Sequence, residues 1–221
     1  MKVVEIFYSI EGEGKRAGEP CVFIRFAGCN LQCSYCDTPY AQDASKCSND
    51  MSVAQIVKEV FKYKDRCTNV TLTGGEPLLQ DLDELLFTLA YRGFHINIET
   101  NGSIMYPIRR YVDKVFLTKD YKSISSGEND KMSLENFSDI RDTDVIKCVV
   151  GSLEDLEDAY YFYKKFSYEY WWASPHWYFS PVYGKLEPKV IVEYLKKHPV
   201  IKGRVQLQLH KYIWNPEERG V

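Results

Sequence analysis

The feature that most constrains this chain is a loop with three cysteines, Cys29, Cys33 and Cys36, which directly follows an apolar run. Cysteine thiolates hold iron-sulfur clusters, and a cubane cluster has four irons, so three thiolates leave one iron free to bind another molecule. A structural zinc ion instead closes its tetrahedron with a fourth protein ligand. The CxxxCxxC spacing therefore favours a 4Fe-4S cluster with one open iron.

Two other uses of the cysteines have to be weighed. A zinc site that borrows Cys21, Cys47 or a histidine as its fourth ligand would make the chain a metal-binding module without catalysis. A disulfide framework is disfavoured, because seven cysteines are an odd number and a chain of 221 residues does not need such cross-links.

Length and charge limit the possible partners. The 221 residues, 45% of them hydrophobic, suffice for one substantial core, and we expect residues 1–221 to form a single domain. The formal net charge of -3 offers no basic field for nucleic acid, so a small-molecule substrate is favoured. No apolar run reaches the roughly 18 residues of a membrane span, and Glu5 comes too early for a signal peptide. We therefore expect no membrane partner and a cytoplasmic location.

Segments with strand character alternate with segments of helical periodicity along the chain. Strands are predicted at 3–8, 21–27, 69–73, 95–99, 114–117, 145–150, 177–179 and 204–209. Helices are predicted at 53–61 after Ser52, 79–90, 153–166 after a capping box of Ser152 and Asp155, and 188–197, with 119–142 a polar loop excursion. This alternation predicts an α/β fold, a parallel sheet covered by helices, in the form of an open partial (β/α)6 barrel.

Polar residues follow the ends of these strands. Cys29 follows the second strand, Thr73 ends the third, Glu99 ends the fourth, and Asp120 follows the fifth. The carboxyl ends of parallel strands are where barrels and open α/β sheets build active sites. Arg25, a lone charge within its strand, is either a clamp for a carboxylate or an exposed edge residue. The polar motifs therefore converge on one face of the sheet.

The cysteine loop, with Asp37 and Thr38 after it, resembles that of the radical S-adenosylmethionine (SAM) superfamily, and residues 74–77 are a second match. This resemblance implies that the open iron of a 4Fe-4S cluster binds the amino and carboxylate groups of SAM. It also implies that glycine carbonyls receive the SAM ammonium, supported by a glutamate. The expected cofactor-binding residues are Gly74, Gly75, Glu76, Glu99, Asp120 and Lys122.

Further motifs are similar to those of the 7-carboxy-7-deazaguanine synthase family within this superfamily. They are SIEGEG at 9–14, CDT at 36–38, ETNG at 99–102, DYK at 120–122, SSG at 125–127, SPVYG at 180–184 and QLHK at 208–211. The resemblance implies conversion of 6-carboxy-5,6,7,8-tetrahydropterin into 7-carboxy-7-deazaguanine by radical ring contraction with loss of ammonia, in queuosine biosynthesis. It also implies a need for Mg2+ and for an electron donor such as flavodoxin or ferredoxin.

The same resemblance assigns roles to individual residues. The expected catalytic residues are Arg25, which would hold the substrate carboxylate, and the cluster ligands Cys29, Cys33 and Cys36, while Thr38 would bind magnesium. The expected substrate contacts are Ile10, Glu11, Gly12, Glu13, Arg25, Thr73 and His210, in an N-terminal loop 9–14, in strands and in a C-terminal segment 204–221. Glutamine is usual in the family at Glu11, which leaves open whether this side chain contacts the substrate.

Two further expectations concern partners. A radical SAM activase that installs a glycyl radical on a partner protein is an alternative function, but Arg25, Thr38 and the N-terminal glycine loop suit a small carboxylated substrate better. The aromatic-rich segment 160–178 is typical of a core or a subunit interface, so a homodimer is expected.

Overall fold

The computed structural model describes residues 1–106 and 113–221. Within them lies one eight-stranded sheet whose strands are neighbours in chain order. The strands are β1 Val3–Ile10, β2 Pro20–Phe26, β3 Asn69–Gly74, β4 His95–Thr100, β5 Val115–Lys122, β6 Val145–Val150, β7 His176–Pro181 and β8 Gly203–Val205. β1 is antiparallel to β2, and every later pair is parallel. The expected open partial barrel is confirmed. Its antiparallel edge was not predicted, because periodicity carries no strand direction.

Within the described residues, α-helices follow β2, β3, β6, β7 and β8. They are α1 Val53–Phe61, α2 Asp83–Tyr91, α3 Leu153–Glu169, α4 Pro188–Lys197 and α5 His210–Ile213. α1 begins as predicted, with a complete capping box between Ser52 and Gln55. At α3 only half of the expected capping box forms: Ser152 accepts from the backbone N–H of Asp155, whose carboxylate accepts from N–H groups outside the helix, including that of Ser125.

The predicted boundaries of α2 and β5 were wrong. The helix expected from residue 79 begins at Asp83, because Pro77–Leu79 form a separate 3-10 turn with Glu76 as its cap. β5 continues to Lys122 in register with β6, so residues 119–122 belong to the strand rather than to a loop excursion. Asp120 and Lys122 are therefore held by sheet hydrogen bonds at the end of β5.

The two faces of the sheet differ in chemistry. The outer face is apolar and packs under the helices in two clusters, which include Ile24, Leu72, Ile98, Leu117, Ile146 and Phe179. Each such side chain contributes about 1.5–3 kcal/mol when it is fully buried. The inner face is polar, since Thr73 donates to Glu99 and Thr118 to Asn97 across neighbouring strands. We call the space that this inner face encloses the lumen.

Residues 11–16 close the end of the lumen opposite the cysteine loop, and we call them the floor. Ile10 pairs with Pro20, so the chain leaves β1 at the amino ends of the parallel strands. Arg16 fixes the floor there, because its guanidinium donates to Asn69 and to the His95 carbonyl, at the first residues of β3 and β4.

The last part of the chain joins the floor to the far edge of the sheet. The side-chain amide of Gln206 accepts from the Gly14 N–H at 2.8 Å and donates to the Gly14 carbonyl at 2.9 Å. β8 therefore ends at Val205, and the strand predicted to reach 209 was too long. Leu209 then donates from its backbone to Gly12. β1 and β8, the two edge strands of the sheet, do not pair with each other. The contacts of Gln206 and Leu209 with the floor bridge the opening between them.

No helix in the described part of the chain is both long and apolar enough to cross a bilayer.

Candidate active site

The cysteine loop is fixed between the end of β2 and the turn after β5. The backbone of Cys29 donates to Gln42, and that of Ser34 donates to Ser126. The Ser34 hydroxyl also donates to the Ser125 carbonyl at 2.6 Å. The loop therefore lies at the carboxyl ends of the parallel strands, where the sequence predicts the site.

The donor set of this loop fits an iron-sulfur cluster. Cys29, Cys33 and Cys36 are free thiols and are partly exposed. Burial raises the pKa of the Cys33 thiol, and the nearby Lys122 ammonium opposes that rise by favouring the thiolate. No three histidine, cysteine or carboxylate groups within residues 1–106 and 113–221 are grouped to hold a single metal ion. A cluster takes each thiolate on a different iron, so it does not need that tight grouping, whereas the zinc alternative does.

The glycine turn after β3 lies directly against the cysteine loop. Glu76 donates from its backbone N–H to the Gly28 carbonyl at 2.7 Å, and Gly75 donates to Phe26 at 3.0 Å. A Cβ atom on Gly75 would lie 2.1 Å from the Gly28 carbonyl oxygen. Gly74 has a φ of +127°, a backbone conformation that other residues rarely adopt. The turn needs both glycines to approach the loop this closely.

The Glu76 side chain organises this end of the sheet. It is buried, and its carboxylate accepts from the backbone N–H of Leu78 and Asn101 and from the Thr100 hydroxyl, at 2.7–2.9 Å. Burial nevertheless raises its pKa. Because the carboxylate already accepts hydrogen bonds from three protein donors, Glu76 would support SAM indirectly, by holding the glycine turn in its conformation.

Asp120 and Lys122 form a charged pair beside the cysteine loop. The Lys122 ammonium lies 2.8 Å from the Asp120 carboxylate. Burial alone would raise the pKa of Asp120, but the neighbouring Lys122 and Lys147 outweigh it and hold this pKa below its usual value. Both predicted SAM-binding residues are thus charged and face the lumen.

Lys147 is a lumen residue that the sequence analysis missed. It lies in the middle of β6, buried, and its ammonium is 3.2 Å from Glu13 and 3.2 Å from Asp120. Residues 145–150 otherwise form an apolar strand, and a lone lysine within it is the same signal that singled out Arg25. Lys147 thereby joins the floor to the opposite end of the lumen.

Arg25 is held by one end of its guanidinium. It lies beside Thr73 across the β2–β3 register, and its Nε donates to Glu5 at 2.7 Å. Of its donors, only Nε has a hydrogen bond within the described residues, so the two terminal nitrogens remain for a carboxylate. Tyr40 also donates to Glu5, at 3.1 Å, which fixes the pair.

The floor brings most of the predicted substrate residues together. The Glu11 carboxylate is buried and bonded to Thr71 and Arg16, so this side chain is engaged by protein. Gly12 packs against His210 so closely that a Cβ atom would lie 2.3 Å from its ring nitrogen. One Glu13 oxygen accepts from Gln208 and Lys147, while the other is buried with no partner in the described residues.

Thr38 places a hydroxyl oxygen next to the Asp37 carboxylate. Its hydroxyl donates to the Asp37 carboxylate at 2.9 Å, and no hydrogen bond to the Thr38 hydroxyl oxygen is found within residues 1–106 and 113–221. Asp37 lies beside it with a second oxygen that is 4.0 Å from Lys211. Oxygen donors of this kind suit Mg2+, which also keeps several waters.

Glu99 is expected to make stability depend on pH. Burial raises its pKa from 4.5 to about 7; Lys147 opposes this rise, and Glu11, Glu13 and Asp120 add to it. The folded protein then favours the protonated form, so the free energy of unfolding should fall as pH rises from about 5 to 7.5. In cluster-free protein, the free energy of unfolding of Glu99→Gln should decrease over this pH range by about 2–3 kcal/mol less than that of the wild type.

Chemical denaturation at several pH values measures this effect. Glu84→Gln, at an exposed position of α2, is the matched control and should leave the pH dependence unchanged. Parallel pH profiles for the wild type and Glu99→Gln would contradict the raised pKa.

The chain is similar to known proteins. The radical SAM superfamily model matches residues 23–124. The 7-carboxy-7-deazaguanine synthase of Clostridium acetobutylicum is 42% identical over 100% of this chain and 99% of its own length. The 7-carboxy-7-deazaguanine synthase of Chlorobaculum tepidum is 37% identical over 100% of this chain and 97% of its own length. The crystal structure of QueE from Escherichia coli superposes with a TM-score of 0.73 over 93% of this chain and 92% of that one, at 21% identity, and supports the fold.

The two full-length relatives align over 100% of this chain, a range that includes the floor, the cysteine loop and the C-terminal segment. The cofactors of this superfamily, a 4Fe-4S cluster and SAM, are consistent with the three free thiols and the glycine turn beside them. The chain belongs to the 7-carboxy-7-deazaguanine synthase family of the radical SAM superfamily.

Proposed function

We propose that this protein converts 6-carboxy-5,6,7,8-tetrahydropterin into 7-carboxy-7-deazaguanine, with loss of ammonia, in 7-deazapurine biosynthesis. The observation that carries the proposal is the lumen itself, which has the three thiols at one end and Arg25 on its wall. The two terminal nitrogens of Arg25 have no hydrogen bond in the part of the chain that the structure describes. Substrate and product differ by one ammonia, so the conversion needs no net oxidant. When bound, the cluster and SAM supply a radical that removes a hydrogen atom from the substrate.

The protein residues bind and orient the substrate. Arg25 would hold the carboxylate through its terminal nitrogens, and the free oxygen of Glu13 would accept an N–H of the pterin ring. The Thr73 hydroxyl donates to Glu99 and can accept from the ligand in turn. Glu99, with a pKa of about 7, can take up or release a proton at neutral pH, as loss of ammonia requires.

The reaction itself is the test. Anaerobically reconstituted and reduced protein, supplied with SAM and the carboxylated pterin, should form the deazapurine and ammonia in equal amounts. Absence of product from protein whose cluster still cleaves SAM would contradict the proposal. Radical transfer to a glycine-containing peptide in the same assay would favour the activase instead.

We propose that Thr38 binds the magnesium that the family resemblance implies. Thr38→Ala should leave SAM cleavage measurable while the response of product formation to added Mg2+ weakens about tenfold or more, because the hydroxyl ligand is gone. Thr68→Ala, at an exposed position before β3, is the control. Titration of activity with Mg2+ checks this, and an unchanged Mg2+ dependence would refute the assignment.

We also propose a cytoplasmic location and reduction by flavodoxin or ferredoxin. All seven cysteines are free thiols, which fits a reducing compartment. Activity with each purified donor in place of a chemical reductant tests the second part.

We propose that the protein is a homodimer whose interface includes the aromatic residues at the end of α3. The predicted aromatic segment divides in two: Phe162, Phe166 and Trp177 are buried, whereas Trp171 and Trp172 are 79% and 62% exposed. Large exposed aromatics of this kind mark interfaces. Light scattering should report a dimer for the wild type and a monomer for Trp171→Glu, with Tyr91→Glu on α2 as the control.

A further inference from the structure

The buried ammonium of Lys147 joins two carboxylates that come from opposite ends of the lumen. Glu13 belongs to the floor. Asp120 lies on β5, where it also forms an ion pair with Lys122. The ammonium lies 3.2 Å from each carboxylate. A buried lysine persists only where such partners compensate for its lost hydration.

The two carboxylates depend on Lys147 to different degrees. Asp120 has a second cationic partner, Lys122, at 2.8 Å. Among the described residues, Glu13 has only Gln208 as a hydrogen-bond partner besides Lys147, and both bond to the same oxygen, Oε2. The other oxygen, Oε1, is buried without a partner in the described residues. A buried acceptor without a partner is costly unless a ligand supplies the donor.

We propose that Lys147 is a positioning residue that holds Glu13 by one oxygen and so aims the other at an N–H of the substrate ring. The inference rests on the proposed function for the identity of that substrate. Lys147 acts through Glu13, and its contact with Asp120 fixes its own position. Removing it should therefore weaken substrate binding more than SAM binding.

The experiment measures equilibrium binding, separately from turnover. Enzyme with an oxidised cluster and bound SAM does not cleave SAM, so dialysis against the carboxylated pterin gives its dissociation constant. Lys147→Met should raise this constant about tenfold to a hundredfold, the usual effect of losing a hydrogen bond to a charged group. The dissociation constant of SAM should change less than about threefold, because Asp120 keeps Lys122.

A second buried lysine provides the matched control. Lys119 is fully buried and lies 2.6 Å from Asp139, but it points to the outer face of β5, where it also donates to Asn136. Lys119→Met removes a comparable ion pair and should destabilise the fold while leaving the pterin constant within about twofold. If a general loss of stability weakened pterin binding, the dissociation constant would rise in Lys119→Met as well as in Lys147→Met.

Further variants separate the outcomes. Lys147→Gln keeps one donor and covers the case in which Lys147→Met does not fold. In the double variant Lys147→Gln with Glu13→Gln, the loss should not exceed that of Glu13→Gln alone, because both changes remove one interaction. An unchanged pterin constant in folded Lys147→Met or Lys147→Gln would overturn the inference, as would unfolding of both while Lys119→Met folds. Failure of the wild type to bind the pterin would overturn the proposed function as well.

Discussion

Cys33→Ala should yield a colourless protein that neither cleaves SAM nor forms product. Three thiolates are the whole ligand set of the loop, so losing one leaves two irons without a protein ligand. Cys21 and Cys148 cannot replace it from their places in the fold, since both are fully buried within strands. Iron and sulfide content, visible absorption and 5'-deoxyadenosine formation measure the effect.

Cys47→Ala is the matched control. Cys47 is a partly exposed free thiol outside the loop, and it donates to the Val3 carbonyl at 3.4 Å. This variant should keep its iron and its activity. A Cys33→Ala protein that retained a four-iron cluster and wild-type SAM cleavage would contradict the assignment of the ligand set.

Gly75→Ala should be almost as damaging, although it removes no functional group. The new Cβ atom would lie 2.1 Å from the Gly28 carbonyl oxygen and 3.0 Å from that of Ala41. Both are backbone atoms, so no flexible side chain can yield, and the segment leading into Cys29 has to shift. A displacement of about 1 Å at a reacting centre costs roughly a hundredfold in rate. We expect that loss in product formation, with reduced iron content and a lower free energy of unfolding.

The control for this variant is Gly151→Ala. There the nearest atom to a new Cβ is the Ser125 hydroxyl oxygen at 3.4 Å, the end of a side chain that can move. Product formation should stay within about threefold of the wild type. Equal activity of Gly75→Ala and wild-type protein would show that the close approach of the two loops is not needed.

Sequence patterns were sufficient for the outer face of the molecule. Apolar runs predicted the strands because every parallel strand buries its outer face, and Val145–Val150 and Pro188–Lys197 match the structure to the residue. Helix starts were also predictable where a cap was present, as at Ser52. The start of α2 was not, since the turn after Pro77 continues the same apolar pattern without being α-helical.

The lumen was less accessible to sequence reasoning, because contacts across it join residues from different strands. Lys147 resembles an ordinary strand residue until Glu13 and Asp120 are placed beside it. The Glu76 carboxylate, predicted to support SAM, accepts hydrogen bonds from three protein donors. These donors come together only in the folded turn, so the sequence does not reveal them. The motifs located the site, while the pairing of charges within it required the three-dimensional register.

The contact between Gln206 and Gly14 also bears on the order of folding. These residues are 192 positions apart, whereas Gly75 meets Phe26 across a far shorter stretch of chain. Closing a long loop costs more conformational entropy than closing a short one, and contacts of high separation slow folding. We therefore expect the cysteine loop and the glycine turn to assemble early. The lumen should close last, when Gln206 binds Gly14.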